Sequence, residues 1–147
     1  MIVRIAMRYN ARCSVIPNRV SPFTGTPELD ILVGNVGDSR TFLLRKDGTY
    51  TVTKDHKPND DAERERIVKA KGSVLMNRVN GDLALSRAIG DRKFKQVHDL
   101  PAHEQQVIAL PNITEIKATK DDVLFICCDG IFEAMSNTGT YSWIRLL

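Results

Sequence analysis

Asp129 and Glu133 are the two residues of this 147-residue chain whose types and spacing most directly suggest chemistry. Asp129 ends the run Val123-Leu124-Phe125-Ile126-Cys127-Cys128, six apolar or soft residues that read as a strand buried on both faces. A carboxylate at the end of a buried strand needs compensation, because an ionised acid out of water is costly unless hydrogen-bonded, paired or metal-bound. Gly130 allows a sharp turn or the close approach of a ligand. If a helix begins at Ile131, Asp129 and Glu133 stand four residues apart and face one space. Two acids so placed suit a hard cation such as magnesium or manganese, which takes oxygen ligands. The competing reading is that Asp129 caps the helix, and the local pattern weighs the two equally.

Other candidates are weaker alone. Gly34-Asn35-Val36-Gly37 follows a strand, as phosphate-binding glycine loops do, but it lacks the full fingerprint and leads into another strand. His56 lies between Asp55 and Lys57 beside Pro58, where a structural role outweighs that of a general base. Arg78 and Arg87 are each as well suited to pairing with an acid as to clamping a phosphate. A strand ending in Asp-Gly also occurs in haloacid-dehalogenase-like phosphotransferases. Those need a second aspartate two residues on, where this chain has Ile131.

The elements that must position these groups form one domain with a real core, since 147 residues suffice for one. With 42% hydrophobic and 27% charged residues the chain is of the globular class. A net charge of +3, with acids and bases interleaved, gives no case for nucleic acid. No apolar run is long enough for a bilayer, so no membrane partner is expected. Arg4 and Arg8 break the amino-terminal apolar stretch, which argues against a secretory signal. Cys13, Cys127 and Cys128 are an odd count without zinc-site spacing, which points to a reducing, cytoplasmic or nuclear setting with inert thiols. Asn112-Ile113-Thr114 fits a glycosylation acceptor by chance alone.

Residues 1–29 read as a short strand near Val15-Ile16 and then a proline-punctuated loop. Strands are expected over 31–36 and 41–45, with Asp47-Gly48 closing a hairpin onto 50–53. A helix is expected over 61–71, with Asp60 as N-cap, Glu63 completing a capping box, Gly72 as terminator and Ile67 and Val68 on a sheet-facing stripe. Strands follow at 73–76, at 78–85 about an Asn80-Gly81 turn, at 106–109 and at 113–118. Ser86 to Asp91 reads as a compact turn or short helix, and 92–103 as loop. A helix after Glu133, interrupted near 137–139, resumes at Tyr141, and the final Ile144-Arg145-Leu146-Leu147 reads as truncated mid-element.

The motifs Gly34-Asn35-Val36-Gly37-Asp38-Ser39-Arg40, Asp55-His56-Lys57-Pro58, Glu65-Arg66-Ile67, Arg78-Val79-Asn80-Gly81, Leu83-Ala84-Leu85-Ser86-Arg87-Ala88-Ile89-Gly90-Asp91 and Cys128-Asp129-Gly130-Ile131-Phe132-Glu133 stand in one order along residues 30–137. In that order and spacing the chain closely resembles the metal-dependent PP2C-type protein serine/threonine phosphatases. The resemblance implies an α+β fold: a PP2C-like β-sandwich of antiparallel sheets flanked by helices, here as a single incomplete domain over 1–147. It implies a binuclear Mg2+ or Mn2+ centre, a phosphoprotein substrate, and attack on the phosphate ester by metal-activated water without a phosphoenzyme. Asp129 matches a metal-ligating aspartate, and Asp38 and Glu133 match acids of an additional, weaker metal position, with Glu133 replacing the usual aspartate. Phe132 replaces a common tryptophan, and 72–99 matches the flap beside the active site. The family's early acidic ligand, its Asp-Gly-His-Gly motif and the preceding phosphate-binding arginine are absent, and its final Asp-Asn motif would fall beyond Leu147. The implied function is therefore that of a PP2C-type phosphatase, and the alternative is an inactive truncated form or pseudophosphatase acting as a binding module.

Overall fold

The computed structural model describes residues 2–6, 12–18 and 28–146, with side chains from Asp30 to Leu146. The expected loop after the early strand falls on residues 19–27, outside the described residues. Among the described residues, nine strands and three α-helices follow one another as β1 (Ile2–Ala6), β2 (Arg12–Asn18), β3 (Glu28–Val36), β4 (Arg40–Leu44), β5 (Tyr50–Val52), α1 (Asp61–Lys69), β6 (Val74–Leu75), β7 (Arg78–Val79), β8 (Asn112–Thr119), β9 (Val123–Cys127), α2 (Asp129–Ala134) and α3 (Asn137–Ile144).

Two sheets carry the architecture. One runs β1-β9-β4-β5, the other β2-β3-β8, and β6 with β7 forms a separate hairpin. All pairings are antiparallel except that of β1 with β9. The α+β sandwich of antiparallel sheets with flanking helices is thus present, with one parallel pair at an edge.

The period-two alternation of side chains on β4 and β9 explains the layering. Leu43, Leu124 and Ile126 point inward and meet Ile31, Val33, Ile116 and Ala118 of the second sheet. Phe42, Leu44, Phe125 and Cys127 point the other way and meet Ile144, with Ile131, Phe132 and Tyr141 packed against them. This is why 123–128 is apolar throughout: β9 lies between a sheet and a helical layer. Each fully buried aliphatic or aromatic side chain here contributes about 1.5–3 kcal/mol of transfer free energy. Phe132 stacks on Phe42 with centroids 5.4 Å apart, so α2 is fixed directly above the end of β4.

Residues 61–108 build a smaller core of their own, in which Ile67, Val79, Ala88, Phe94 and Val107 are buried together. Several expectations change here. α1 lies on the small β6–β7 hairpin, where Ile67 meets Val74 and Val79; its inward face is Glu63 and Ile67, while Val68 is 56% exposed. Asp60 occupies the N-cap without a side-chain cap bond, because its carboxylate pairs with Lys54 at 3.1 Å. The helix ends in a Schellman arrangement, with Lys71 N–H donating to the Val68 carbonyl and Gly72 N–H to the Ile67 carbonyl, both at 2.9 Å. Lys71, not Gly72, takes the left-handed conformation. Gly72 serves close packing instead, since a Cβ there would lie 3.0 Å from the Ile67 carbonyl oxygen. β6 and β7 turn at Met76-Asn77, both at positive φ, and the expected Asn80-Gly81 turn follows it, both residues at positive φ with Val79 bridged antiparallel to Leu83. At 106–109 there is no strand, only a bridge between Arg87 and Ile108, and 86–91 forms no helix.

Glu63 holds this smaller core together. Its carboxylate accepts from Arg87 Nη2 at 2.6 Å and Nε at 3.0 Å and from Arg66 Nη1 at 2.8 Å. Arg66 also donates to the Ser86 carbonyl at 2.8 Å, and Arg87 to the Leu110 carbonyl at 3.0 Å. Burial alone would raise the Glu63 carboxyl, but the hydrogen bonds from Arg87 and Arg66 outweigh it and hold it down at about 2, against an ordinary 4.5. The folded state therefore binds this proton less readily than the unfolded one, and the stabilisation is complete above pH 4.5 and lost as pH falls through about 2. Glu63→Gln leaves two buried guanidinium groups short of their counter-charge and is expected to cost about 3–5 kcal/mol at neutral pH. Urea unfolding across an acid pH series checks this: the variant loses that share of the wild-type acid dependence, whereas parallel pH profiles would contradict it.

Candidate active site

Asp38 and Asp129 are brought to the same end of the β4–β9 pair by strand register. The last paired residues are Arg40 opposite Cys127, and two residues beyond them the chain reaches Asp38 on one side and Asp129 on the other. Gly37, at φ 103°, makes the tight turn from β3 into β4 that an L-residue with a Cβ resists. Asp38 is 8% exposed. Its Oδ2 accepts from the Lys57 ammonium in a very short ion pair.

Asp129 is the first residue of α2 and is half-buried. The cap position belongs to Cys128, and no side chain caps this helix, which removes the capping reading of Asp129. Its charge still sits favourably in a first helical turn. Gly130 is simply helical, and a Cβ there would meet only Cys128 Sγ at 3.8 Å. Glu133 lies one turn after Asp129 on the same helix, exposed. Among the described residues no group of three or more His, Cys, Asp or Glu could hold a metal ion. What strand register offers is two acids, Asp38 and Asp129, at one end of the β4–β9 pair, with Glu133 one turn along α2.

Such carboxylates fit magnesium or manganese in kind. Such ions take hard oxygen ligands, and magnesium in particular keeps several waters and binds through one or two carboxylates. Asp38 is a buried carboxylate whose partner in the fold is a cation, the Lys57 ammonium.

Arg40 fixes the geometry around the pair. Its guanidinium makes two bonds to Asp55, Nε to Oδ1 at 2.7 Å and Nη2 to Oδ2 at 2.9 Å. A third goes from Nη1 to Asn137 Oδ1 at 2.6 Å, and the group lies 4.2 Å over the Phe132 ring. The start of β4 next to the Asp38 turn, the 55–57 segment bearing Lys57, α2 bearing Asp129 and Glu133, and α3 therefore meet at one planar cation.

His56 closes the same segment onto the β3–β4 turn. His56 N–H donates to the Gly37 carbonyl at 2.9 Å, and Gly37 N–H donates to His56 Nδ1 at 3.1 Å. The ring is 3% exposed. Burial first, and then the charge of Arg87, lower its pKa from the ordinary 6.5, against an opposing effect of Glu63. His56 is thus a structural latch. Arg87 belongs to the Glu63 network, and Arg78 donates to the Asp82 carbonyl at 2.7 Å, so both arginines are committed within the fold. Arg40, Asp55, Lys57 and Asn137 escaped local sequence reading because their partners lie far away in the chain. The signal that existed was their place within the ordered motifs.

The protein-family model described as "Protein phosphatase 2C" matches residues 20–146. The chain is 46% identical over 116 residues to "Probable protein phosphatase 2C 60" of Arabidopsis thaliana, covering 78% of this chain and 32% of that protein. It is 44% identical over 113 residues to "Protein phosphatase 1A" of Bos taurus, covering 76% and 30% respectively. Among solved structures it resembles a phosphatase from Toxoplasma gondii with a TM-score of 0.76 and 42% identity, covering 78% of this chain and 37% of that one. The chain therefore spans about a third of the length of these relatives.

The His56 latch has a pH signature. Because its folded pKa lies below the unfolded value, the stabilisation is complete above pH 6.5 and is lost as pH falls below it toward the depressed value. His56→Phe is expected to flatten the stability profile just below pH 6.5, and to cost about 1–3 kcal/mol at neutral pH by orphaning the Gly37 N–H. Urea midpoints between pH 7.5 and about pH 5 measure both effects.

Proposed function

Because this chain belongs to the protein phosphatase 2C family, we propose that it carries part of the catalytic domain of a serine/threonine protein phosphatase acting on phosphoproteins with Mg2+ or Mn2+. Members of this family are metal-dependent protein phosphatases. The observation that supports the reading for this chain is the delivery of Asp38 and Asp129, the two acids read as metal ligands, to one end of the β4–β9 pair.

When bound, such a cation supplies Lewis-acid charge to a phosphoryl oxygen and activates water for its attack. Asp129 is the residue that would hold it, and Asp38 with Glu133, exposed one helical turn from Asp129, would serve an additional, weaker position. Arg40 holds the surrounding segments in a fixed relation, so the carboxylates need little rearrangement to receive a charge. Phe132, stacked on Phe42 beneath the Arg40 guanidinium, anchors α2 and so limits drift of Asp129 relative to Asp38. The Lys57 ammonium supplies positive charge at the same spot, where a phosphate group would also be attracted.

The test is release of inorganic phosphate from a phosphoserine peptide by the purified chain in millimolar Mn2+. Metal-dependent release that Asp129→Asn lowers by at least about 100-fold is the expected result, a loss of the size seen when a key electrostatic group is removed. Release no faster than in buffer, with the chain folded and Mn2+ present, overturns the catalytic reading for this chain.

A further inference from the structure

We infer that Lys57 is the resident counter-ion of Asp38 and acts as a gate on divalent-cation binding there: the ammonium holds Asp38 Oδ2 and opposes a metal ion at that carboxylate until it moves aside. The inference rests on the reading of Asp38 as a cation ligand.

Three observations support it. The Lys57 ammonium occupies Asp38 Oδ2 in a very short ion pair, so a cation that takes this oxygen must displace the lysine, and one that takes the other oxygen meets the ammonium charge within a few ångströms. The ammonium also has a second place to go. Asp55 Oδ2 lies 4.0 Å from Lys57 Nζ, and Arg40 holds that carboxylate rigidly in place. The Lys57 side chain is 37% exposed while those of Asp38 and Asp55 are 11% and 15% exposed. The mobile partner is therefore the long, partly solvated lysine, and the acids are fixed.

The chemistry is a plain exchange of cations. The hydrogen-bonded Lys57 head leaves Asp38 Oδ2, the divalent ion takes that oxygen, and Lys57 remains charged, shared between Asp55 and water. No proton is transferred and no bond other than the ion pair is broken. With the metal absent, Lys57 keeps a buried carboxylate satisfied, which stabilises the apo fold. With the metal present, the nearby ammonium repels it and weakens its hold. One lysine thus trades cation affinity for stability of the empty site.

Mn2+ alone is the probe, and loss of the free-ion electron paramagnetic resonance signal on titration into the full chain is the readout. Lys57→Met, which keeps the aliphatic stem and removes the charge, is expected to bind Mn2+ at least about tenfold more tightly, as removal of a like charge within a few ångströms should. Lys57→Gln is the second variant should the first fold poorly, and Lys57→Arg, with the charge retained, should show no such gain. Adding Asp38→Asn to Lys57→Met should abolish the gain. If Lys57→Met and Lys57→Gln bind Mn2+ no better than the natural chain while Asp38→Asn weakens binding, the gate is overturned and the metal reading stands. If Asp38→Asn leaves binding unchanged in both backgrounds, or no form binds Mn2+, the reading of Asp38 as a ligand fails and the gate with it.

Discussion

The bidentate ion pair between Arg40 and Asp55 is the constraint on which the functional end of this molecule depends. Arg40 opens β4 opposite Cys127, the last residue of β9, so it stands where the two strands that deliver Asp38 and Asp129 run out of sheet. Beyond that point backbone pairing no longer fixes direction. The guanidinium takes over by binding Asp55 on one side and Asn137 on the other while lying over Phe132. The Asp55 hydrogen bond is the leading cause that raises the Arg40 pKa above its ordinary value, so the charge is permanent. A lysine at 40 would supply charge but not three directed bonds and a stacking face.

Two cores support this end in different ways. The sandwich between the sheets, with β9 covered on its outer face by α2 and α3, fixes Asp129 through packing. The smaller core under α1 fixes the segment from 54 to 63 through polar bonds, with Glu63 between two arginines and His56 joined twice to Gly37. Both paths converge on the Asp38 turn. The polar one is the more sensitive to acid, because its members depend on Glu63 remaining ionised and His56 remaining neutral.

How much of this was legible in the sequence follows from how local each cause is. The β9 run was readable because burial on both faces leaves a continuous apolar stretch, and the Asp47-Gly48 hairpin because turn chemistry is local. Lys71 taking the left-handed position beside a glycine was not readable, since the choice is made by packing of Gly72 against Ile67. The capping box failed for a similar reason: Glu63 is drawn into the core by Arg87, 24 residues away, and Asp60 outward by Lys54. Asp38 was found through the order of the motifs, and its partner Lys57 only through the fold, as an ion pair between residues 19 apart leaves no periodic trace.

Arg40 couples the 55–57 segment to α2, which carries Asp129, and to α3. Amide hydrogen exchange of Arg40→Lys against the natural chain tests it most directly, read peptide by peptide. Exchange should quicken together over 54–58 and over 131–144, with β3 and β8 unchanged. Faster exchange in one of those segments alone, or in neither, would contradict the coupling.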